Sequence, residues 1–137
     1  LCLYGADITT ETTPIEAGLA WVVNKRRREE GGFPGADVIL EQLAEGVDKK
    51  RVGLKIGAKA PARAHAEITD TDGKTIGEVT SGGFGPTVGG PVAMGYVDAA
   101  HAAPGTRVNV VVRGKPLAAE VVKTPFVPQN YYRGDKT

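Results

Sequence analysis

Two textures divide this chain. From about Lys50 onward, short β-favouring runs follow one another: RVGLKI (51–56), RAHAEIT (63–69), TIGEVTS (75–81), PVAMGYV (91–97), TRVNVVVR (106–113) and PLAAEVVKTPF (116–126). Turn chemistry separates them, in DTDGK (70–74), GGFGPTVGG (82–90), AAPG (102–105) and RGK (113–115). In TRVNVVV, Val108, Val110 and Val112 fall on one side of a period-2 pattern, the mark of a strand with one core-facing side. Asp72-Gly73 and Arg113-Gly114 have the residue types of tight hairpin turns. Around six strands with almost no helical periodicity predict a small antiparallel barrel or sandwich.

Upstream, residues 1–46 read as mixed α/β. LCLYG reads as a short strand ending at Gly5. TTPIEAG carries a helix-start signal, with Thr13 as N-cap, Pro14 in the first helical position and Glu16 closing a capping box. The β-favouring AWVV that follows keeps that helix short. PGADVILEQLAEG predicts a second helix, with Pro34 near its start, Val38, Ile39, Leu40 and Leu43 apolar, and Gly46 as its stop. Between them lies the polar run NKRRREEGG, read as a solvated surface segment that partly pairs its own charges.

Bulk properties narrow the function classes. A chain of 137 residues is long enough for one domain with a real core. A formal net charge of +1 gives no global field toward nucleic acid or an anionic membrane, and no apolar run approaches the ~20 residues that span a bilayer. The single cysteine, Cys2, forbids an internal disulfide and fits a reducing compartment. The chain opens within what reads as a strand, and its one methionine is Met94, so a longer protein continuing upstream is expected.

Residues that carry chemistry elsewhere have plain readings here. Cys2 lies in an apolar run without a neighbouring histidine and reads as a buried structural thiol. His65 and His101 have no metal-ligand spacing and read as surface or turn residues. DTDG (70–73) lacks the rest of a calcium loop and reads as a hairpin turn. The basic run Lys25–Arg28 is next to Glu29 and Glu30 and lacks the interleaved aromatics of a nucleic-acid site. No phosphate loop, dinucleotide fingerprint or serine-nucleophile motif is present. The glycine-dense SGGFGPTVGG (81–90) joins two strand runs, so it is read as a connection that shapes the domain rather than a flexible linker.

A set of segments goes further. LCLYGADI (1–8), TTPIEAGLAWVV (12–23), KRRREEGGFPGADVI (25–39), RVGLKI (51–56), IGEVTSGGFGPTVGGPVAMGYV (76–97) and KTPFVPQNYY (123–132) occur in that order. Together they resemble the C-terminal third of the aminomethyltransferases, the T-proteins of the glycine cleavage system. TSGGFGPT alone is shared with the folate domains of dimethylglycine and sarcosine dehydrogenases; the basic run before FPGADVI and the PFVPQNYY tail point to T-proteins.

The resemblance implies a three-domain ring with tetrahydrofolate near its centre. The other domains would supply most of the folate pocket and the catalytic aspartate, so no catalytic residue is expected within this chain. It implies transfer of an aminomethyl group from the dihydrolipoyl arm of the lipoylated H-protein to tetrahydrofolate, giving 5,10-methylenetetrahydrofolate and ammonia. The implied fold is mainly β: residues 1–46 as the α/β end of the folate-binding middle domain, and 47–137 as a small antiparallel, jelly-roll-like β-barrel. Tetrahydrofolate is the implied co-substrate, with no metal, nucleic acid or membrane partner, in the bacterial cytoplasm or the mitochondrial matrix. Tyr131 is the implied folate-contacting residue, with Trp21 and Arg133 as further candidates, since a flat pterin and an anionic glutamate tail call for aromatic walls and a cation. For a lone tryptophan such as Trp21, a buried packing role competes with that reading. The readings from other classes are the folate-binding region of a dimethylglycine or sarcosine dehydrogenase-like enzyme, and a non-catalytic barrel interaction module; upstream sequence would separate them.

Overall fold

The valines of the fifth run show how the fold is built. Val108 and Val110 are buried while their neighbours are not, and Val112 packs against the same core. A computed structural model describes residues 1–134. All six predicted runs contribute a strand: β1 Lys49–Ile56, β2 Glu67–Thr69, β3 Thr75–Gly85, β4 Gly90–Asp98, β5 Arg107–Val112 and β6 Lys115–Val122. They close into one antiparallel barrel in the order β1-β4-β3-β2-β5-β6, with β6 returning to pair with β1. Of barrel and sandwich, the closed barrel is realised. Closure pairs every strand on both sides and leaves no long open edge.

Three hairpins and two long crossings trace this order. Asp70–Lys74 turns β2 into β3, with Gly73 at φ +89°. Arg113 and Gly114, both at positive φ, form the two-residue turn between the paired Val112 and Lys115. The crossing from β1 to β2 passes two strands, and along it Ala62 is fully buried in the barrel core. The core is otherwise filled by Leu54, Ile68, Val79, Val97, Val108, Val110 and Val121, all with essentially no exposure.

The glycine-dense segment is only half a connection. Ser81–Gly85 belong to β3 and Gly90 opens β4, so the turn itself is 86–89. A Cβ on Gly82 would sit on the carbonyl oxygen of Ala62, so the bare backbone there admits the β1–β2 crossing. A bulge between Val79 and Ser81 re-registers β3 against β4. Next to it, Gly77 and Gly95 let the two backbones approach more closely than any side chain allows.

Upstream of the barrel the expectations are partly corrected. LCLYG is no strand; residues 3–8 form a closed turn with a single bridge between Tyr4 and Ile8. Thr13 and Glu16 do form their reciprocal capping box, at 3.1 and 3.2 Å, but Gly18 at φ +70° ends the element after one turn. A 3-10 turn, Ala20–Val22, follows. The basic run is a helix, α1 Lys25–Glu30, capped by the Asn24 side chain on the Arg27 amide. Its charges pair internally as read, Lys25 with Glu29 at 3.8 Å and Arg26 with Glu30 at 3.9 Å. The second predicted helix is α2, Ala36–Glu45, stopped by Gly46 at φ +93°. Of RAHAEIT only the last three residues are strand, because His65 takes a positive φ of 71° and breaks the extended run. Among the described residues, no helix is long and apolar enough to cross a membrane.

Candidate functional site

The outer face of β1, β4 and β3 is where the other parts of the chain meet. Val52 and Leu54 point inward, so Arg51 and Gly53 share the outward side of β1. Across the sheet Arg51 pairs with Tyr96 and Gly53 with Met94, and β3 continues the platform through Glu78, Thr80 and Ser81.

Residues 1–19, the N-terminal arm, are fixed to this platform at two points. The first is Asp7, whose side chain is 1% exposed. Thr80 and Ser81 donate their hydroxyls to its Oδ1 at 2.6 and 2.7 Å, and the Leu3 amide donates to Oδ2 at 3.0 Å. The Tyr96 hydroxyl donates to the Asp7 carbonyl at 2.7 Å. Burial alone pushes the Asp7 carboxyl up; the hydrogen bonds from Thr80, Ser81 and Leu3, with the nearby charge of Arg51, outweigh it and hold the group below its ordinary value. Burial likewise dominates at Tyr96 and raises its phenol above the usual range.

The second point is Arg51. Its amide donates to the Glu16 carbonyl at 2.8 Å and its Nε to the Ala17 carbonyl at 2.9 Å, while Nη1 lies 3.1 Å from the Met94 sulfur. The same turn reaches α2 through the Thr13 hydroxyl, which donates to Gln42 Oε1 at 2.6 Å.

The tail arrives on the same strand. After β6 the chain passes over Gly53, where an added Cβ would lie 2.7 Å from Thr124 Cγ2 and 3.1 Å from the Phe126 ring. Arm and tail are thus rooted two residues apart on the outward side of β1, about 7 Å along the strand. Beyond these roots the aromatic side chains reach into solvent: Trp21 is 75% exposed and Tyr131 66%. Arg133 is exposed too. No hydrogen bond or ion pair among the described residues joins the three. Within the described residues the Trp21 ring, on the 3-10 turn, is not packed but exposed.

Residues 49–128 match the glycine cleavage T-protein C-terminal barrel domain. The chain belongs to that family. Among relatives, mitochondrial aminomethyltransferase of Mesembryanthemum crystallinum is 55% identical over 133 residues, which cover 97% of this chain and 32% of the relative. That of Gallus gallus is 52% identical over 132 residues, covering 96% and 33%. The crystal structure of glycine cleavage system aminomethyltransferase T from Bartonella henselae superposes with a TM-score of 0.91 at 51% identity, over 97% of this chain and 37% of that one. The chain therefore spans about a third of the length of the curated relatives it matches.

The remaining candidates of this T-protein chain are placed plainly. Cys2 is half-buried rather than buried, and it is unpaired. His65 is exposed, with Nδ1 2.8 Å from Glu78 Oε1. His101 ends a 3-10 turn, Ala99–His101, half-buried, its Nδ1 without a hydrogen-bond partner among the described residues. Among the described residues no group of histidine, cysteine and carboxylate side chains is arranged to hold a metal. Asp7 and Arg51, the residues that organise the platform, were missed from sequence. The one available signal was an acid set between apolar Leu3 and Ile8, a place where a carboxylate needs partners.

Proposed function

We propose that this chain is the barrel-bearing C-terminal part of an aminomethyltransferase. It would act with the remainder of such an enzyme to move the aminomethyl carbon from the dihydrolipoyl arm of H-protein to tetrahydrofolate, giving 5,10-methylenetetrahydrofolate and ammonia. The observation that carries this reading is the reach of the likeness: identity of 50–55% runs over 96–97% of the chain, so it takes in the arm and the tail as well as the barrel. The relatives carry the transferase name, which favours this reading over a dehydrogenase-type folate region. Residues 1–46 would complete a preceding folate-binding domain, and 47–137 would form the barrel that supports it. Relatives named mitochondrial, together with a bacterial one of known structure, support a mitochondrial matrix or bacterial cytoplasmic setting.

Tyr131, with Trp21 and Arg133, is the proposed contribution to the folate site. These side chains fit the ligand's chemistry: exposed rings can stack on a pterin or its aromatic linker, and a guanidinium can meet a carboxylate. The platform would position them by anchoring arm and tail on one strand. In a polypeptide of the relatives' full length that carries this sequence, Tyr131→Ala is expected to weaken tetrahydrofolate binding about tenfold, or ~1.4 kcal/mol. Tyr131→Phe should lose less, since it keeps the ring. A change below about twofold for the alanine variant would make Tyr131 a structural tail residue only.

A further inference from the structure

A concave surface lies on a part of the barrel that residues 1–19 leave uncovered. It is a cavity of about 700 Å³ between the end of the β1–β2 crossing and the β5–β6 hairpin. That volume is in the range of small-molecule sites. Its floor is apolar: Ala66, Val112 and Leu117 are partly buried and pack on the barrel core. Its polar lining is cationic, from Arg63, Arg113 and Lys115, with His65 beside them, and among the described residues no carboxylate lines the wall.

The wall is built rather than incidental. Ala62 is fully buried beneath it, seated against the bare backbone of Gly82. The His65 amide donates to the Val79 carbonyl and the Val79 amide to the Ala66 carbonyl, both at 2.8 Å, so the loop is stitched to β3 on either side of the histidine. The opposite wall is the tight hairpin closed by the Val112–Lys115 pair. Both non-glycine residues with positive φ among the described residues, His65 at 71° and Arg113 at 52°, line this one cavity. A two-residue turn of this kind is formed more favourably by Asn-Gly than by Arg-Gly, so Arg113 places a cation at the rim at some cost to the turn.

We propose that this cavity binds a small anionic molecule with an apolar body, a carboxylate or phosphate ester of an aromatic or aliphatic group. The guanidinium groups of Arg63 and Arg113 and the ammonium of Lys115 hold the anion, and the body rests on Val112, Leu117 and Ala66. The guanidinium forks suit either oxyanion bidentately.

The test is a titration of the 137-residue chain with 1-naphthyl phosphate, 1-naphthoate and neutral 1-naphthalenemethanol, followed by amide chemical shifts. Both anions are expected to give saturable shifts confined to residues 60–66 and 111–117, and the neutral alcohol to bind at least about tenfold more weakly. Preference between the two anions distinguishes a phosphate site from a carboxylate site. Arg113→Asn is the informative variant, because it supplies the preferred turn residue while removing the cation. It should leave the thermal midpoint unchanged or higher and weaken anion binding about fivefold or more; Arg63→Gln should act in the same direction. No saturation by about 10 mM, shifts scattered over other surfaces, equal binding of the neutral alcohol, or undiminished binding by both variants would each overturn the proposal.

Discussion

Gly77→Ala is expected to destabilise the barrel by about 3 kcal/mol or more, enough to unfold many domains of this size. A methyl group at Gly77 would sit on the Tyr96 carbonyl oxygen and crowd the Val97 Cα, all of it backbone. Side-chain rotation cannot relieve such a clash, and separating the strands would break the β3–β4 ladder beside its bulge. Gly83→Ala is the matched control. It lies in the same strand, has open space around its Cα, and should change stability by less than about 0.5 kcal/mol. Chemical denaturation of the two variants decides the matter. Equal effects would mean that glycine content in β3, not the close approach, sets the stability.

Asp7→Ala should release the arm while leaving the barrel folded, at a cost of about 2–4 kcal/mol to the docked state. The substitution leaves the half-buried Ser81 hydroxyl without its acceptor and Thr80 with only the Met94 carbonyl, and it removes the charge that three hydrogen bonds stabilise. Hydrogen exchange should lose protection at Gly5, Asp7 and Ile8, whose amides close the arm's turn, and keep it at Val108 and Val110 in the core. The same carboxylate sets a pH dependence. Its folded value lies below the ordinary one, so its stabilisation is fully present above about pH 4 and is lost as pH falls through the folded value. Docking of the arm should weaken across that acidic window in the native chain, and the Asp7→Asn variant should lack that dependence. Uniform loss of protection over arm and barrel would show that the two do not separate.

The barrel was legible because its signals are local. Period-2 burial in TRVNVVV and the Asp72-Gly73 and Arg113-Gly114 turns each depend on a few neighbouring residues, as does the stop of α2 at Gly46 outside the barrel. What was not legible depends on distance in sequence. Ser81–Gly85 carry the composition of a loop, yet they form strand because the bare Gly82 backbone is what the distant Ala62 packs on. LCLYGADI has the composition of a strand, yet among the described residues no strand pairs with it, and Asp7 draws it into a turn over hydroxyls more than seventy residues away. KRRREE was read as surface and its self-pairing was foreseen; that it is a helix rests on the Asn24 cap. At the proposed site, the residue types at Tyr131, Trp21 and Arg133 came from resemblance. The anchoring of arm and tail through Arg51 and over Gly53 needed the fold.

The central claim is that this chain serves as the barrel-bearing part of an aminomethyltransferase. A chimera tests it most directly: the Bartonella henselae protein with its matching segment replaced by this sequence, which is 51% identical to it and superposes with a TM-score of 0.91. With aminomethyl-loaded H-protein and tetrahydrofolate, the chimera should release ammonia and form 5,10-methylenetetrahydrofolate within about tenfold of the unaltered bacterial protein's rate, a difference of ~1.4 kcal/mol in the barrier. A chimera that melts cooperatively as one folded protein but turns over only at the rate of a no-enzyme control would contradict the claim.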